Sequence, residues 1–579
     1  MPGFEGVMGV KLARTAGFCM GVRRAVDMVL DIARKGGKGP IYTYGPLIHN
    51  PQTIALLKKR GVLPVENLDE IDSGTIVIRA HGIPPAERSR LKEKGLEIID
   101  ATCPKVARVQ GIIRKHHGQG HTILILGDRD HPEVTALLGY AGDRGFIVNG
   151  MEDLMNLPDF DRVCVVAQTT QNVEEFERMA RAIQGKYPGA VIFNTICDST
   201  VKRQDEVRDM AGKMDAMIIV GGKNSANTER LRTISEDSGT PTFLVETAGE
   251  LQKIDLDPFE NIGVSAGAST PNWIINGVLD HIAGKGREKR GRLGTFLYSL
   301  WLWTVKTDVF KAVGASSLTL AAQILQGLPP NPLNLLISAF YVHAMHSMNR
   351  IQEKSPLEDR FREGDKPPAR HRKAFVGLAS LGLALFLSAL TGLSSFLLLL
   401  FISFVGLLYD IPLLPSHWSI RKISAIPGSK NFLMAVAWAT VCAALPQVEA
   451  IRTAAPATAV AFIFVFALVF IISSLTDLMD IQGDRLVGRE TIPVIMGEKK
   501  TRAILQGGSL LLGILLVLSY GTGLTPSFTL ALLTSLIYLW ICFLIYDRRF
   551  SLSALAVEGF LETNLVLPGA LAGLWLYFS

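Results

Sequence analysis

The chain has 579 residues, with 59 Lys and Arg against 53 Asp and Glu for a formal net charge of +6, 48% apolar residues and a mean hydropathy of +0.28. That length points to several domains, and the nearly balanced charge offers no footprint for a nucleic-acid partner. Six unevenly placed cysteines do not suggest a disulfide framework, and the first 20 residues lack the apolar core of a cleavable signal peptide. The mean hydropathy hides a sharp change near residue 290: short apolar strands alternate with amphipathic helices before it, and long apolar stretches separated by short loops follow it.

Taken in chain order, the first half repeats one pattern three times. Cys19, Cys103 and Cys197, 84 and 94 residues apart, each stand where an apolar run ends and a helix-like run begins: GFCMGVRRAV, IIDATCPKVARV and FNTICDSTVKRQ. Three such units around a pseudo-threefold axis would bring three sulfurs to one centre from strand-to-helix turns. The occupant this implies is an iron-sulfur cluster with one iron left without a protein ligand.

Behind each cysteine helix comes a strand with a polar loop: IYTYGPLIHN with His49 and Asn50, HTILILGDRDHPEV with His131 and Glu133, and AMIIVGGKNSANTERL with Ser225 and Asn227. A second strand follows, again with a polar tip: TIVIRAHGIP with His81, VCVVAQTTQN with Thr169 and Thr170, and NIGVSAGASTP with Ser269. Open α/β sheets bind ligands at these strand ends, and neutral donors beside glycines suit a diphosphate. Each element alone has a plainer reading. A buried cysteine is a small hydrophobe, as expected for Cys164 inside VCVVA and for Cys442 and Cys542 in membrane-like segments. HPE is a possible helix start, and GGKNSAN a turn; recurrence in three registers favours the site.

The motifs GFCMGVRRAV, LIHN, AHG, DATCP, HPEV, QTT, GGKNSANTERL and GAST, in this order, closely resemble the 4-hydroxy-3-methylbut-2-enyl diphosphate reductase (LytB) family over about residues 8 to 283. The resemblance implies that Cys19, Cys103 and Cys197 ligate a 4Fe-4S cluster. It implies a diphosphate pocket of His49, His81, His131, Thr169, Thr170, Ser225, Asn227 and Ser269, with Glu133 delivering protons. Ala226 departs from the second Ser usual in the family, which removes one hydroxyl contact and leaves a backbone amide. Expelling an allylic hydroxyl needs two electrons, a Lewis acid for the departing oxygen and a proton to make it water. The electrons must come from a partner, expected to be a ferredoxin or flavodoxin-like protein. A carboxyl acting as an acid near neutral pH needs burial to raise its pKa.

A basic linker, GKGREKRGR at 284 to 292, precedes the second half; it reads as a solvated hinge, as a contact for anionic lipid headgroups, or as both. About 20 apolar residues cross a bilayer, and nine spans are expected at 306–326, 331–349, 374–390, 393–410, 431–448, 454–476, 502–520, 526–546 and 552–578. With the amino terminus inside, the cytosolic connections carry eighteen Lys and Arg, among them Arg372, Arg421, Arg485, Lys499 and Arg548, against Arg452 alone outside. The positive-inside rule then places the reductase half in the cytosol.

In TDLMDIQGDRLVGRETIPVIMG, Asp477, Asp480 and Asp484 share one helical face where the sixth span reaches the cytosol. At about 2.5 to 3.5 kcal/mol for each carboxylate at the bilayer centre, three would cost on the order of 7 to 10 kcal/mol unless solvated or paired with cations. Mg²⁺ bridging a diphosphate is the natural partner; a solvated loop with an acidic cap is the plainer reading. With YDIPLLP, IPGSKN and nine spans, this motif resembles the UbiA-type prenyltransferase superfamily over about residues 295 to 579. Members carry a second acidic motif, NDxxDxxxD, after the second span. Here it reads NRIQEKSPLEDR: Asn349 stays and Glu353 replaces a metal-binding Asp, while Arg350 and Leu357 occupy two other acidic places. Glu558, Glu562 and Asn564 mark either a polar cavity or pairing with neighbouring helices.

The expectation is a fusion. Residues 1–283 form an α/β reductase of three pseudo-threefold-related units around the cluster, 284–294 a linker, and 295–579 an all-α domain of nine transmembrane helices handling prenyl diphosphate with Mg²⁺. The alternative for the second half is a non-catalytic membrane anchor. A redox or oxygen sensor in the first half is disfavoured, because it would leave Glu133 and the diphosphate donors without a job.

Overall fold

A computed structural model describes residues 9–35, 39–285, 292–352, 367–409, 423, 426, 428–448, 455–487, 489, 491–548 and 554–578. The chain divides into two compact units, Met1–Lys289 and Arg290–Ser579.

Among the described residues, the first unit holds twelve strands: β1 Gly9–Leu12, β2 Ile41–Tyr44, β3 Val62–Val65, β4 Thr75–Ile78, β5 Glu97–Asp100, β6 Thr122–Leu126, β7 Gly145–Val148, β8 Val163–Ala167, β9 Val191–Ile192, β10 Ala216–Val220, β11 Thr242–Val245 and β12 Asn261–Ala266. They form three four-stranded sheets of equivalent order, β3-β2-β4-β5, β7-β6-β8-β9 and β11-β10-β12-β1, with every pairing parallel. The central strands TILIL, VCVVA and AMIIV are buried at every position, the unbroken apolar run that a parallel strand covered on both faces requires. Cys164 packs in this interior with Ile123, Ile125 and Val166.

The third sheet is completed from the other end of the unit. β1 runs alongside β12, pairing Gly9 with Asn261 and Leu12 with Val264. It takes the place that β5 and β9 hold in their sheets. Each of β1, β5 and β9 leads into a cysteine, so every cysteine leaves an edge strand of one sheet and opens the helix that follows.

The second unit is helical. Among the described residues, its helices include Val309–Leu325, Pro332–Gln352, Pro367–Thr391, Leu393–Leu408, Ser429–Val448, Ala455–Met479, Glu498–Gly521, Leu533–Arg548 and Ala554–Phe578. Six are long and apolar enough to cross a membrane; Val309–Leu325 and Leu393–Leu408 are apolar but shorter. Tyr341, Phe464, Phe528 and Phe543 fill the interior. Phe386, Phe401, Leu511 and Ile537 are 60 to 68% exposed, as side chains facing hydrocarbon are. Most of the basic linker lies outside the described residues.

Candidate functional site

The three cysteines are held in the same way. Cys103 and Cys197 are the N-caps of helices Pro104–Gly118 and Asp198–Ala211, and Cys19 directly precedes Met20–Lys35. The N–H of each donates to a carbonyl just beyond a central strand: Cys19 to Ala268 (3.1 Å), Cys103 to Ala80 (2.9 Å) and Cys197 to Thr169 (2.9 Å). Helix N-termini favour negative charge, which suits thiolates. A Cβ on Gly21 would lie 2.6 Å from Cys103 Sγ and 4.0 Å from Cys19 Sγ, so only glycine fits beneath the first two sulfurs. Burial raises the Cys103 thiol, the N–H groups of Lys105 and Val106 lower it, and the neighbouring sulfurs of Cys19 and Cys197 raise it again. Three sulfurs brought together at helix N-termini are a donor set for a cationic metal centre, and they fit an iron-sulfur cluster.

Twelve of the thirteen residues that the sequence pattern selected, all but Asn50, line one cavity, of about 770 Å³ counting its open mouth. His49, His81 and His131 lie with ring centroids 4.8 to 5.6 Å apart. Burial lowers all three: His81 falls well below the usual imidazole range, His131 to about 4, and His49 by burial and the Arg79 charge. The rings are therefore neutral at neutral pH. Their nitrogens, within 4.8 Å of one another, also have the spacing of a metal site. The tautomer decides between the two readings. The Glu133 N–H donates to His131 Nδ1 (3.1 Å), so the ring proton sits on Nε2. That nitrogen then offers a donor rather than a lone pair, which serves an anion and not a metal. Among the described residues, His49 Nε2, His81 Nδ1 and Asn227 Nδ2 are buried without a hydrogen-bond partner, as atoms awaiting a ligand are. Ser225 and Ser269 are buried at the same wall, with the Ser269 hydroxyl donating to the His49 carbonyl (3.0 Å).

Glu133, on the first turn of helix Pro132–Ala141, is 2% exposed. It accepts from Thr169 N (2.6 Å) and Thr169 Oγ1 (2.7 Å). Burial raises its pKa and outweighs these bonds, which lower it. The burial an acid needs here is thus present.

In the second unit, Asp477 closes helix Ala455–Met479, the helix breaks at Asp480, and Asp484 lies in the short helix Ile481–Val487. Asn431 Nδ2 donates to Asp477 Oδ2 (2.7 Å) and Ser474 Oγ (3.3 Å). Burial, then Asp477 and Asp480, push Asp484 up to about 7. A divalent cation would relieve that crowding, so the residues fit Mg²⁺. Asn349 lies in helix Pro332–Gln352, and Glu353 lies outside the described residues. Glu558 and Glu562 pair with Lys311 at 3.1 and 2.8 Å, and Asp308 is 3.2 Å from the same ammonium. Sequence reading passed over Lys311, which looks like an ordinary cation at the head of a span. Asn564 is fully buried, and among the described residues neither amide atom has a hydrogen-bond partner.

Comparison with known proteins separates the same two halves. The family model described as LytB protein matches residues 10–283, and that of the UbiA prenyltransferase family matches 364–577. The 4-hydroxy-3-methylbut-2-enyl diphosphate reductase of Pelobacter propionicus is 42% identical over 275 residues, covering 48% of this chain and 98% of that protein. The solved E-1-hydroxy-2-methyl-but-2-enyl-4-diphosphate reductase of Plasmodium falciparum is 28% identical, covers 46% of this chain and 86% of its own, and has a TM-score of 0.45. A UbiA homolog from Archaeoglobus fulgidus, solved with DMAPP and Mg²⁺, is 17% identical over 47% of this chain and 99% of its own, with a TM-score of 0.34.

Proposed function

The chain belongs to the LytB family through residues 10–283, and on that premise we propose that this half reduces 4-hydroxy-3-methylbut-2-enyl diphosphate to isopentenyl and dimethylallyl diphosphates. The observation that carries the reading is the cavity itself. It combines a buried carboxyl, three neutral imidazoles and three converging sulfurs.

The reaction consumes two electrons and two protons and releases water. His49, His81, His131, Ser225 and Asn227 bind the diphosphate as neutral donors, with Thr170 and Ser269 lining the same cavity. Glu133, whose pKa burial raises, is placed to hold a proton for the departing hydroxyl, and Thr169 fixes its position. When bound, a 4Fe-4S cluster on Cys19, Cys103 and Cys197 supplies electrons one at a time and a Lewis-acidic iron. A ferredoxin or flavodoxin-like donor replenishes the electrons. Anaerobic turnover of the diphosphate substrate with excess reductant tests this: formation of both C5 diphosphates is expected, and a fully loaded chain that forms neither would end the reading.

For residues 295–579 we propose a multi-pass domain of nine spans, the reductase on its cytosolic side, that binds prenyl diphosphate through Mg²⁺ on Asp477, Asp480 and Asp484 and transfers the prenyl group. Glu353 serves as a weaker second ligand, beside Asn349 for the diphosphate. The match of residues 364–577 to the UbiA family and the crowding of Asp484 support this. Arg350 and Leu357, at expected acidic positions, favour the anchor reading instead.

A further inference from the structure

The cysteine helices are tied to one another in a closed cycle. Arg24, five residues after Cys19, donates through Nη1 to the carbonyl of Thr102, the residue before Cys103 (2.9 Å). Lys105, two residues after Cys103, donates through Nζ to Asp198 Oδ2, the residue after Cys197 (2.8 Å). Arg203, six residues after Cys197, donates through Nη2 to the carbonyl of Gly17, two residues before Cys19 (2.9 Å), and through Nη1 to the Ala266 carbonyl. Each cation begins on the helix of one cysteine and ends within two residues of the next cysteine.

The three ties differ in strength. Lys105 and Asp198 are an exposed pair, the kind that contributes little. Arg24 is half-buried. Arg203 is 3% exposed, and its guanidinium joins two backbone carbonyls: Gly17 before Cys19, and Ala266 at the end of β12, two residues before the carbonyl that receives the Cys19 N–H. Gly17 has φ +101°, and a Cβ there would lie 2.7 Å from Asn272 Oδ1, so the loop takes this shape only with glycine. A buried guanidinium is costly unless fully engaged, and breaking such an arrangement leaves an uncompensated charge.

We propose that Arg203 is a positioning residue for the metal centre: it locks the Cys19 loop against the helix opened by Cys197, and Arg24 and Lys105 complete a ring that sets the spacing of the three sulfurs. This rests on the reading of the cysteines as cluster ligands. Groups that orient metal ligands typically contribute about 10- to 100-fold to metal affinity. The ring therefore governs how long the cluster stays bound, and its three members rank by burial.

The test is the rate of iron loss to a chelator from the anaerobically loaded full chain. Hydrogen exchange of β1 and β12 is followed in parallel, together with the electron paramagnetic resonance spectrum of the reduced cluster. Arg203→Gln should lose iron at least about tenfold faster than the parent, Arg24→Gln less, and Lys105→Ala within about twofold. Arg203→Lys, which keeps the charge and one bond, should fall between Arg203→Gln and the parent and retain the parent spectrum. Parent-like loss in Arg203→Gln, or a Lys105 effect as large as the Arg203 effect, overturns the ring. Faster loss matched by equal deprotection of β1 and β12 also overturns it, since Arg203 would then only hold the fold. Should Arg203→Gln fail to fold, Arg203→Lys decides, parent-like loss overturning the proposal. Cys197→Ser separates the two readings: a full cluster in that variant removes the cluster assignment itself, whereas iron loss there with no Arg203 effect removes only the ring.

Discussion

Thr169 engages both oxygens of Glu133, its N–H donating to Oε1 at 2.6 Å and its hydroxyl to Oε2 at 2.7 Å. The same Thr169 accepts the Cys197 N–H on its carbonyl at 2.9 Å. One residue thus places Glu133 and one of the three cysteines, so that on the proposed reading a single loop sets the distance between proton donor and cluster.

Glu133→Gln should keep cluster and substrate binding and lose about 10²- to 10⁴-fold in turnover, the usual contribution of a positioned proton donor. Thr169→Val removes one hydrogen bond that lowers the Glu133 pKa and keeps the N–H. The carboxyl should then stay protonated to higher pH, moving the alkaline limb of the rate profile upward. Single-turnover rates across pH measure both. A limb unmoved in Thr169→Val, or normal turnover in Glu133→Gln, would show that the proton arrives by another route.

Cys19, Cys103 and Cys197 should each be required for a full complement of iron, while Cys164, inside β8 and fully buried, should not. Iron counts on anaerobically purified Ser variants settle it. A full cluster in Cys103→Ser, or its loss in Cys164→Ser without unfolding, would refute the assignment.

His131 titrates at about 4 in the folded chain against an ordinary 6.5. Between those values the unfolded chain binds a proton that the folded chain does not. Stability from this group is therefore complete above the ordinary value and is lost as pH falls towards the folded one. Hydrogen exchange of β6 should show protection falling over that window, and His131→Asn should flatten the dependence. A variant with the parent slope would mean that His131 is not the buried neutral ring described here.

The central strands and their polar tips were legible because TILIL, VCVVA and AMIIV must be buried on both faces, and each is followed at once by residues with no reason to be apolar. The closure of the third sheet was not. GVKL is too short and too mixed to read as a strand alone, and only its pairing with β12 at the other end of the unit makes it one. Arg203 was hidden for a related reason. In VKRQDEVRDM it looks like any cation of a polar helix, and its burial follows from Gly17 and Ala266, which no local pattern connects to it. In the second unit, hydropathy located the helices, while the partner of Glu558 and Glu562 sat on a distant helix as Lys311.

Asp477, Asp480 and Asp484 crowd one helix junction, with Asn431 reaching Asp477 from a neighbouring helix and Arg489 Nη1 3.7 Å from Asp484 Oδ1. Gly483 permits this, since a Cβ there would lie 2.4 Å from Asp480 Oδ1. If these carboxylates hold Mg²⁺ for a prenyl diphosphate, Asp480→Ala should abolish Mg²⁺-dependent binding. Asn431→Ala should weaken it about tenfold by freeing Asp477, and Glu353→Gln should weaken it less. None of the three should change reduction by the other half, whose cavity is built from different residues. The measurement is binding of long-chain prenyl diphosphates, with and without Mg²⁺, to the full chain in nanodiscs, alongside anaerobic turnover of the C5 substrate. Binding absent from the parent, or unaffected by Asp480→Ala, would leave the second half as an anchor. Binding lost in Asp480→Ala with reduction intact would establish two separate diphosphate sites on one chain.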